Sequence, residues 1–408
     1  MSRRLLLALL LAVATMTLGF WLKCRILPAP DRDTWEIEAT KEFAFTDIVG
    51  IYYERDVGSH PLPYAEMKVE YPPVVGAMMY LTSFAPGPQG YLAANYAVLA
   101  LAALATVWAI HLLNREAPLW IFAATPPLVL YAGLNWDLIA IFFAMASLVL
   151  FQRGRDLSCA VALALGTWSK IFPALLLPVF LCQRAREGNG RAIKTMVITF
   201  GLLSLAINLP VFLLAPWGWG ELYIFSVGRG ADGGSLWHNF PGFPMILIDA
   251  LGLAAVFAGL ALLSRTGLRN LRPPAEIGLT VLIIFIMANK VSSPQYHLWL
   301  MPFLALFPPP LWLLSLFLAV DLAYYALCFQ SLFVFWGGQS ALADALIAMS
   351  QPISLARLTV LFLLLVFTAR KLLRPASRDE PTLLRGRLHG RDTRDLAAAG
   401  YADRRYTV

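Results

Sequence analysis

The sequence predicts an all-α polytopic membrane protein with about 12–13 transmembrane helices and a polar first external loop that carries the active site. Three observations carry this expectation. The 408 residues are 59% hydrophobic and only 14% charged, with a mean hydropathy of +0.66; a soluble domain carries about 25% charged residues. Apolar runs recur along most of the chain, on the scale of the ~20 residues a spanning helix needs. One acidic, aromatic-rich stretch, Phe43 to Pro73, stands between the first two of these runs.

Met1 to Leu22 joins Ser2-Arg3-Arg4 to about 18 mostly apolar residues, long for the core of a signal peptide. No small-x-small cleavage site stands before Lys23. An uncleaved first helix with its N-terminus inside is expected. Residues 23–70 then carry six Lys/Arg against ten Asp/Glu, a balance of −4 that suits the outer face,. Val74 to Ala85 is short for a span and reads as a half-helix or as a tilted helix that recruits its flanks. Pro72-Pro73 either breaks the loop from this segment or sits in its first turn, where a missing N–H costs nothing.

Further apolar segments run over roughly 91–113, 119–134, 136–152, 157–169, 171–183, 194–216, 241–263, 276–289, 295–308, 311–329 and 351–371. Basic junctions at Arg115, Arg153/Arg155, Arg184 to Lys194, Arg265 to Arg272 and Arg370 to Arg374 all fall inside if 74–85 does not fully cross,. Twelve full crossings, one partial crossing and two cytoplasmic termini follow, which makes the chain a multi-pass protein of the cytoplasmic membrane. Residues 1–371 form the transmembrane domain, with 23–73 as its catalytic external loop. Residues 372–408 form a basic tail expected to be disordered and cytoplasmic. From Arg370 to Val408 ten Lys/Arg stand against five Asp/Glu, so much of the net charge of +7 sits there and gives no reason to expect nucleic acid as a partner. Cys24, Cys159, Cys182 and Cys328 have no CxxC spacing, and neither a metal site nor a disulfide framework is expected. No cofactor is expected, although carboxylates of the loop could take Mg²⁺ or Ca²⁺.

This topology places four polar stations on the outer face. The first is 23–73; its part 43–73 reads FAFTDIVGIYYERDVGSHPLPYAEMKVEYPP and holds Asp47, Glu54, Asp56, Glu66 and Glu70 among Tyr52, Tyr53, Tyr64 and Tyr71. Loops of this length without a role are uncommon, though a solvated connector is the plain alternative. The second is Asn135-Trp136-Asp137, where Asp137 is either a functional carboxylate at membrane depth or a helix N-cap. Lys170, in Ser169-Lys170-Ile171-Phe172-Pro173, must snorkel, pair or meet an anion. The third is 217–240, WGWGELYIFSVGRGADGGSLWHNF. Its glycines let backbone N–H groups converge on an anion, and Arg229 can grip a phosphate, with Asp232 and His238 nearby; a flexible loop would look similar. The fourth is 289–299, NKVSSPQYHLW, in which Lys290 is either an interface anchor or, framed by Gln295 and Tyr296, part of an anion site,.

Carboxylates and cations gathered at one membrane face suit transfer from a lipid-phosphate donor. The cations would hold the phosphate and stabilise it as a leaving group. A carboxylate would take the proton from an attacking hydroxyl. Tyr and Trp would offer flat apolar surfaces to sugar rings. A transporter or flippase of an anionic lipid-linked substrate is the alternative. It should carry ionisable groups near the midplane, often on two similar halves, and no repeated half is visible.

Thr46-Asp47-Ile48, Tyr52-Tyr53, Pro63-Tyr64 and Val69-Glu70-Tyr71-Pro72-Pro73 resemble the first external loop of the glycosyltransferase C superfamily. The similarity is greatest to the polyprenol-phosphate-mannose-dependent, glycosyltransferase family 87-like membrane proteins of actinobacteria. Asn135-Trp136-Asp137 and Gly166 to Pro173 are similar to the next stations of that family, and Arg229 to Asp232, Ser235-Leu236-Trp237, Asn289-Lys290, Ser293 to Tyr296 and Leu298-Trp299 to the later ones. Two departures stand out: the family's loop commonly has Pro-Val or Pro-Leu after EYP where this chain has Pro73, and His238 stands where an aromatic residue is expected. The resemblance implies a lipid-linked sugar donor, usually mannose on polyprenyl phosphate, a lipid or glycan acceptor, and inversion at the anomeric carbon. It puts Asp47 at the position of the catalytic base; Glu54, Asp56, Glu70 and Asp137 are rivals. Arg229, Lys290, Lys170, Gln295 and His238 are then expected at the donor phosphate. Tyr52, Tyr53, Tyr64, Glu70, Tyr71, Asp137, Asp232 and Tyr296 are expected around acceptor and sugar.

Overall fold

A computed structural model describes residues 2–375, and among them the secondary structure is helical with no strand. The basic tail expected from residue 372 lies almost wholly outside the described residues.

The first apolar run forms α1 (Arg3–Cys24), capped by the Ser2 side chain, which accepts from Leu5 N. The polar segment after it is not a bare loop. It folds into α2 (Arg32–Lys41), capped by Asp31, and α3 (Asp47–Glu54), capped by Thr46. Asp, Ser and Thr at these positions satisfy N–H groups that a helix start leaves without a partner. Next, α4 (Pro73–Ser83) takes Pro73 as its first residue. Its 11 residues reach about 16 Å at ~1.5 Å per residue, roughly half the hydrocarbon thickness. The half-helix is therefore the form that 74–85 adopts.

The chain continues through α5 (Gly87–Leu113), then α6 (Trp120–Ala123) and α7 (Pro126–Tyr131), which split one apolar run where Pro126-Pro127 interrupts it,. There follow α8 (Asp137–Gln152), α9 (Asp156–Thr167), α10 (Leu176–Arg186), α11 (Gly190–Leu214) and α12 (Pro216–Gly228). The rest is α13 (Met245–Arg269), α14 (Pro274–Ala288), α15 (Tyr296–Leu306), α16 (Leu311–Phe335), α17 (Ala341–Ala348) and α18 (Ser350–Leu372). All the apolar runs are helical, but among the described residues only six helices are long and apolar enough to cross a membrane: α1, α5, α11, α13, α16 and α18. The apolar helices α8, α9, α14 and α15 are shorter, and every residue of α15 is buried. A short helix satisfies its backbone as fully as a long one, and protein rather than lipid surrounds this one.

The main core joins α1, α5, α8 and α15; a smaller cluster joins α10, α13, α14 and α18. Near its end α1 buries Lys23, whose Nζ donates to the Phe45 carbonyl at 2.8 Å. That bond ties α1 to the residues that lead into Asp47.

Candidate active site

A cavity of about 1780 Å³ opens where α3, the α7–α8 junction, the start of the 170–172 turn, the end of α12 and the segment 289–296 meet. Asp47 lies on its wall as the first residue of α3. Two bonds fix that helix start to the α7–α8 junction: Thr46 Oγ1 donates to Gly133 O at 2.6 Å, and Asp47 N donates to Leu134 O at 2.8 Å. Asn135-Trp136-Asp137 follows at once in sequence, so the first two polar stations are joined.

Tyr71 completes the join. Its hydroxyl donates to Asp47 Oδ2 at 3.2 Å, and its ring packs edge-on against Trp136 at 5.2 Å. The Asp47 carboxyl is pushed up to about 6. Burial is the largest cause and the charge of Asp137 adds to it, while Lys170 and the Tyr71 hydroxyl act in the opposite direction,. A carboxylate so placed is a stronger base than a solvated one and is still ionised near neutrality.

Asp137 is the first residue of α8, not its cap, which is Trp136. Its Oδ1 lies 2.8 Å from Lys170 Nζ, and its Oδ2 accepts from Trp299 Nε1 at 2.8 Å. Lys170 therefore pairs rather than snorkels. Its ammonium also faces the Tyr71 ring at 5.3 Å and the Trp299 ring at 5.9 Å. Trp299 thus has a role that its place in the sequence did not announce: it orients Asp137.

The cations expected at the phosphate are not free. Arg229 Nη2 donates to both oxygens of Asp232 at 3.1 and 3.2 Å, and Asp232 also accepts from Ser292 N at 2.9 Å. Lys290 Nζ donates to Asp249 Oδ2 at 2.9 Å and to Val227 O at 3.2 Å. Asp249 belongs to α13 and was not among the expected site residues. Cations that face a cavity take the nearest carboxylate, since an unpaired charge in low dielectric is costly. His238, Gln295 and Tyr296 line the cavity as expected. Glu70 lines it as well, held by Arg55 in a two-pronged contact at 2.8 and 2.7 Å.

Tyr52, Tyr53 and Tyr64 do not line it. Tyr53 donates its hydroxyl to Ala29 O, and Tyr52 packs on Tyr53 and Tyr91. Tyr64 donates to Tyr71 O at 2.8 Å, so it supports the site through Tyr71 instead of meeting a sugar. Its backbone has φ 71°, a conformation that a non-glycine residue keeps only where its surroundings enforce it.

Sequence reasoning also missed a buried network beneath 289–297. Arg357 of α18 donates to Ser292 O and Ser293 O, both at 3.1 Å, and contacts Ser292 Oγ. Its Nε lies 3.2 Å from His297 Nε2, and His297 Nδ1 lies 2.6 Å from Asp321 Oδ1, which also accepts from Tyr131. Arg357 and Asp321 are fully buried. They anchor the segment that carries Lys290, Gln295 and Tyr296. Among the described residues, no group of three or more His, Cys, Asp and Glu is disposed to hold a metal ion.

No family model matches the chain, and no curated protein matches it. Among solved structures it is similar to the Archaeoglobus fulgidus oligosaccharyltransferase in the apo form, with a TM-score of 0.36 and 12% identity over 91% of this chain and 57% of the other. It is also similar to the oligosaccharyltransferase AglB of the same organism in complex with an inhibitory peptide and a dolichol-phosphate, with a TM-score of 0.36 and 12% identity over 91% of this chain and 56% of the other. The chain spans little more than half the length of these structures.

Proposed function

We propose that the protein is a membrane glycosyltransferase. It transfers a hexose, with mannose the expected sugar, from a polyprenyl-phosphate donor to a hydroxyl of a lipid or glycan acceptor at the outer face of the cytoplasmic membrane. The observation that supports this most is Asp47: a carboxyl raised to about 6 on the wall of a large cavity, braced by Tyr71 and beside the Lys170–Asp137 pair. In this reading Asp47 takes the acceptor proton while the acceptor oxygen bonds to the anomeric carbon. The bond from that carbon to the phosphate oxygen breaks, and the lipid phosphate leaves with the electron pair. A single displacement of this kind inverts the anomeric centre. Lys170, Arg229 and Lys290 are the cations available to the departing phosphate, the last two by exchange of their aspartates.

The test uses purified full-length protein in nanodiscs, with labelled polyprenyl-phosphate hexoses and a membrane extract as the acceptor source. Sugar is expected to leave the donor and appear on an acceptor, with mannose the preferred sugar. Movement of intact donor across the bilayer without cleavage would replace this reading with transport. Orientation is checked by cysteine labelling in a background lacking the four native cysteines: positions 56 and 232 are expected to label from outside and position 269 from inside.

A further inference from the structure

We propose that the stretch of the cavity along α3 is an acceptor subsite that takes a neutral carbohydrate and turns anionic acceptors away. The proposal rests on the glycosyl-transfer reading and names the acceptor class that this reading leaves open.

Asp47, Gly50, Ile51 and Glu54 all line the cavity. Their spacing of three, four and seven residues puts them on one face of α3. A lane of about 10 Å therefore leads from the base to Glu54, at ~1.5 Å per residue. Charged groups border it in opposed pairs. Arg32 Nε donates to Glu36 Oε1 at 2.7 Å, and Arg32 Nη2 lies 3.7 Å from Glu54. Arg55 grips Glu70 with two bonds. All of these side chains line the same cavity, and the transfer chemistry uses none of them.

Each arginine and glutamate along the lane already faces an opposite charge. A polyol can add hydrogen bonds to their remaining donors and lone pairs without breaking a pair. The balance of charge then decides which polyol. Two arginines stand against Glu36, Glu54, Glu70 and Asp47, and the Lys170–Asp137 pair beside the base adds no net charge, so the lane is −2 when all are ionised. An anionic acceptor would approach Asp47 past this excess. The outer end is open to water, with Arg32 and Glu54 each 43% exposed, so the repulsion is moderate and salt should screen it.

The experiment measures binding of two probes to full-length protein in nanodiscs: an octyl mannoside and the same glycoside carrying a 6-phosphate. The neutral probe is expected to bind about tenfold more tightly at low ionic strength, with the ratio shrinking as salt rises. Glu54→Lys should narrow the ratio, and Arg32→Gln, which makes the lane more negative, should widen it. The opposite signs guard against general misfolding. Equal or tighter binding of the phosphorylated probe, no binding of either probe, or a ratio that neither variant moves would overturn the proposal. Binding needs no donor and is repeated with Asp47→Asn, so a protein that transfers nothing still gives an answer. Conversely, transfer to an anionic acceptor would sink the lane and leave the transfer reading standing.

Discussion

The wall around Asp47 and the wall around Arg229 face one cavity but are held in different ways. Around Asp47, groups from α3, the α7–α8 junction, the 170 turn and α15 interlock, and Asp137 is 1% exposed. Around Arg229 the supporting helix α12 buries none of its residues, and the Arg229 side chain is 34% exposed. Lys290 is buried, yet its partner Asp249 is 42% exposed. The first wall is fixed before any substrate arrives, which is what a base needs if it is to meet a reacting proton without reorganisation. The second is built of exchangeable pairs, which suits groups that must take up and release a phosphate.

The largest expected effect tests whether the fixed wall carries the chemistry. Asp47→Asn keeps shape and removes the base, and the loss of a general base costs on the order of 10²–10⁴ in rate. Donor affinity should stay within about tenfold. The variant should also melt no lower than wild type at pH 8. A carboxyl whose folded value is raised from 3.8 to about 6 opposes folding progressively as pH rises through that interval, and Asn removes this opposition. Turnover near the wild-type rate, with Asp137→Asn inactive, would move the base to Asp137.

How far the sequence foretells all this differs between the walls. The helices are legible because the apolar runs that form them are long, and the half-length of α4 shows in its short run. The joining of Asp47 to Asn135 and Asp137 is not, because it depends on Thr46 reaching the Gly133 carbonyl, 87 residues further along the chain. The sequence leaves Lys170 open between snorkelling and pairing, since nothing local reveals that Asp137 stands opposite. Asp321 and Arg357 were legible in principle. Each is an ionisable residue inside an apolar run, which marks a functional or paired group; attention to the ends of segments passes over them. The pairing of Lys290 with Asp249 has no sequence signal, because the two lie 41 residues apart.

The second test breaks the fixed wall without touching the base. Lys170→Met strands the buried Asp137 carboxylate. Breaking a buried pair costs about 3–5 kcal/mol, and the 20% exposure of Lys170 places this one near the lower end. Adding Asp137→Asn should recover most of the loss, since removing both partners leaves no unpaired charge. Thermal unfolding of the two variants measures both. A single variant as stable as wild type would mean that the wall is less closed than its geometry indicates.

On the exchangeable wall, paired variants should act with opposite sign. If Lys290 holds the lipid phosphate, Lys290→Ala removes a charged hydrogen bond worth roughly 1.5–3 kcal/mol, or about 10- to 150-fold in donor affinity. Asp249→Asn frees the lysine and should tighten donor binding by a smaller factor. Titration of the polyprenyl-phosphate donor into each folded variant gives both values. If both variants weaken binding alike, the pair is structural and the contrast between the walls fails.

The smallest expected effect lies in the pH profile. If Asp47 is the base, transfer needs it ionised, so with a carboxyl near 6 the rate should fall about tenfold per pH unit below that value and level off above about 7. Burial and the charge of Asp137 raise the midpoint, while Lys170 and the Tyr71 hydroxyl hold it down. Burial, with the nearby carboxylates, keeps the Tyr71 phenol well above its ordinary range, so it stays a proton donor across the whole profile. Tyr71→Phe keeps the ring against Trp136 and Lys170 but removes the donor that favours the ionised carboxylate. The acid limb should move to higher pH, with the loss of rate greatest near pH 6 and small on the plateau. Rates measured from pH 5 to 8 on the two proteins settle the sign. A midpoint that stays in place would mean that Tyr71 is held by its ring alone; one that falls would mean that the hydroxyl favours the protonated acid, and Asp47 would then be poised to give a proton rather than to take one.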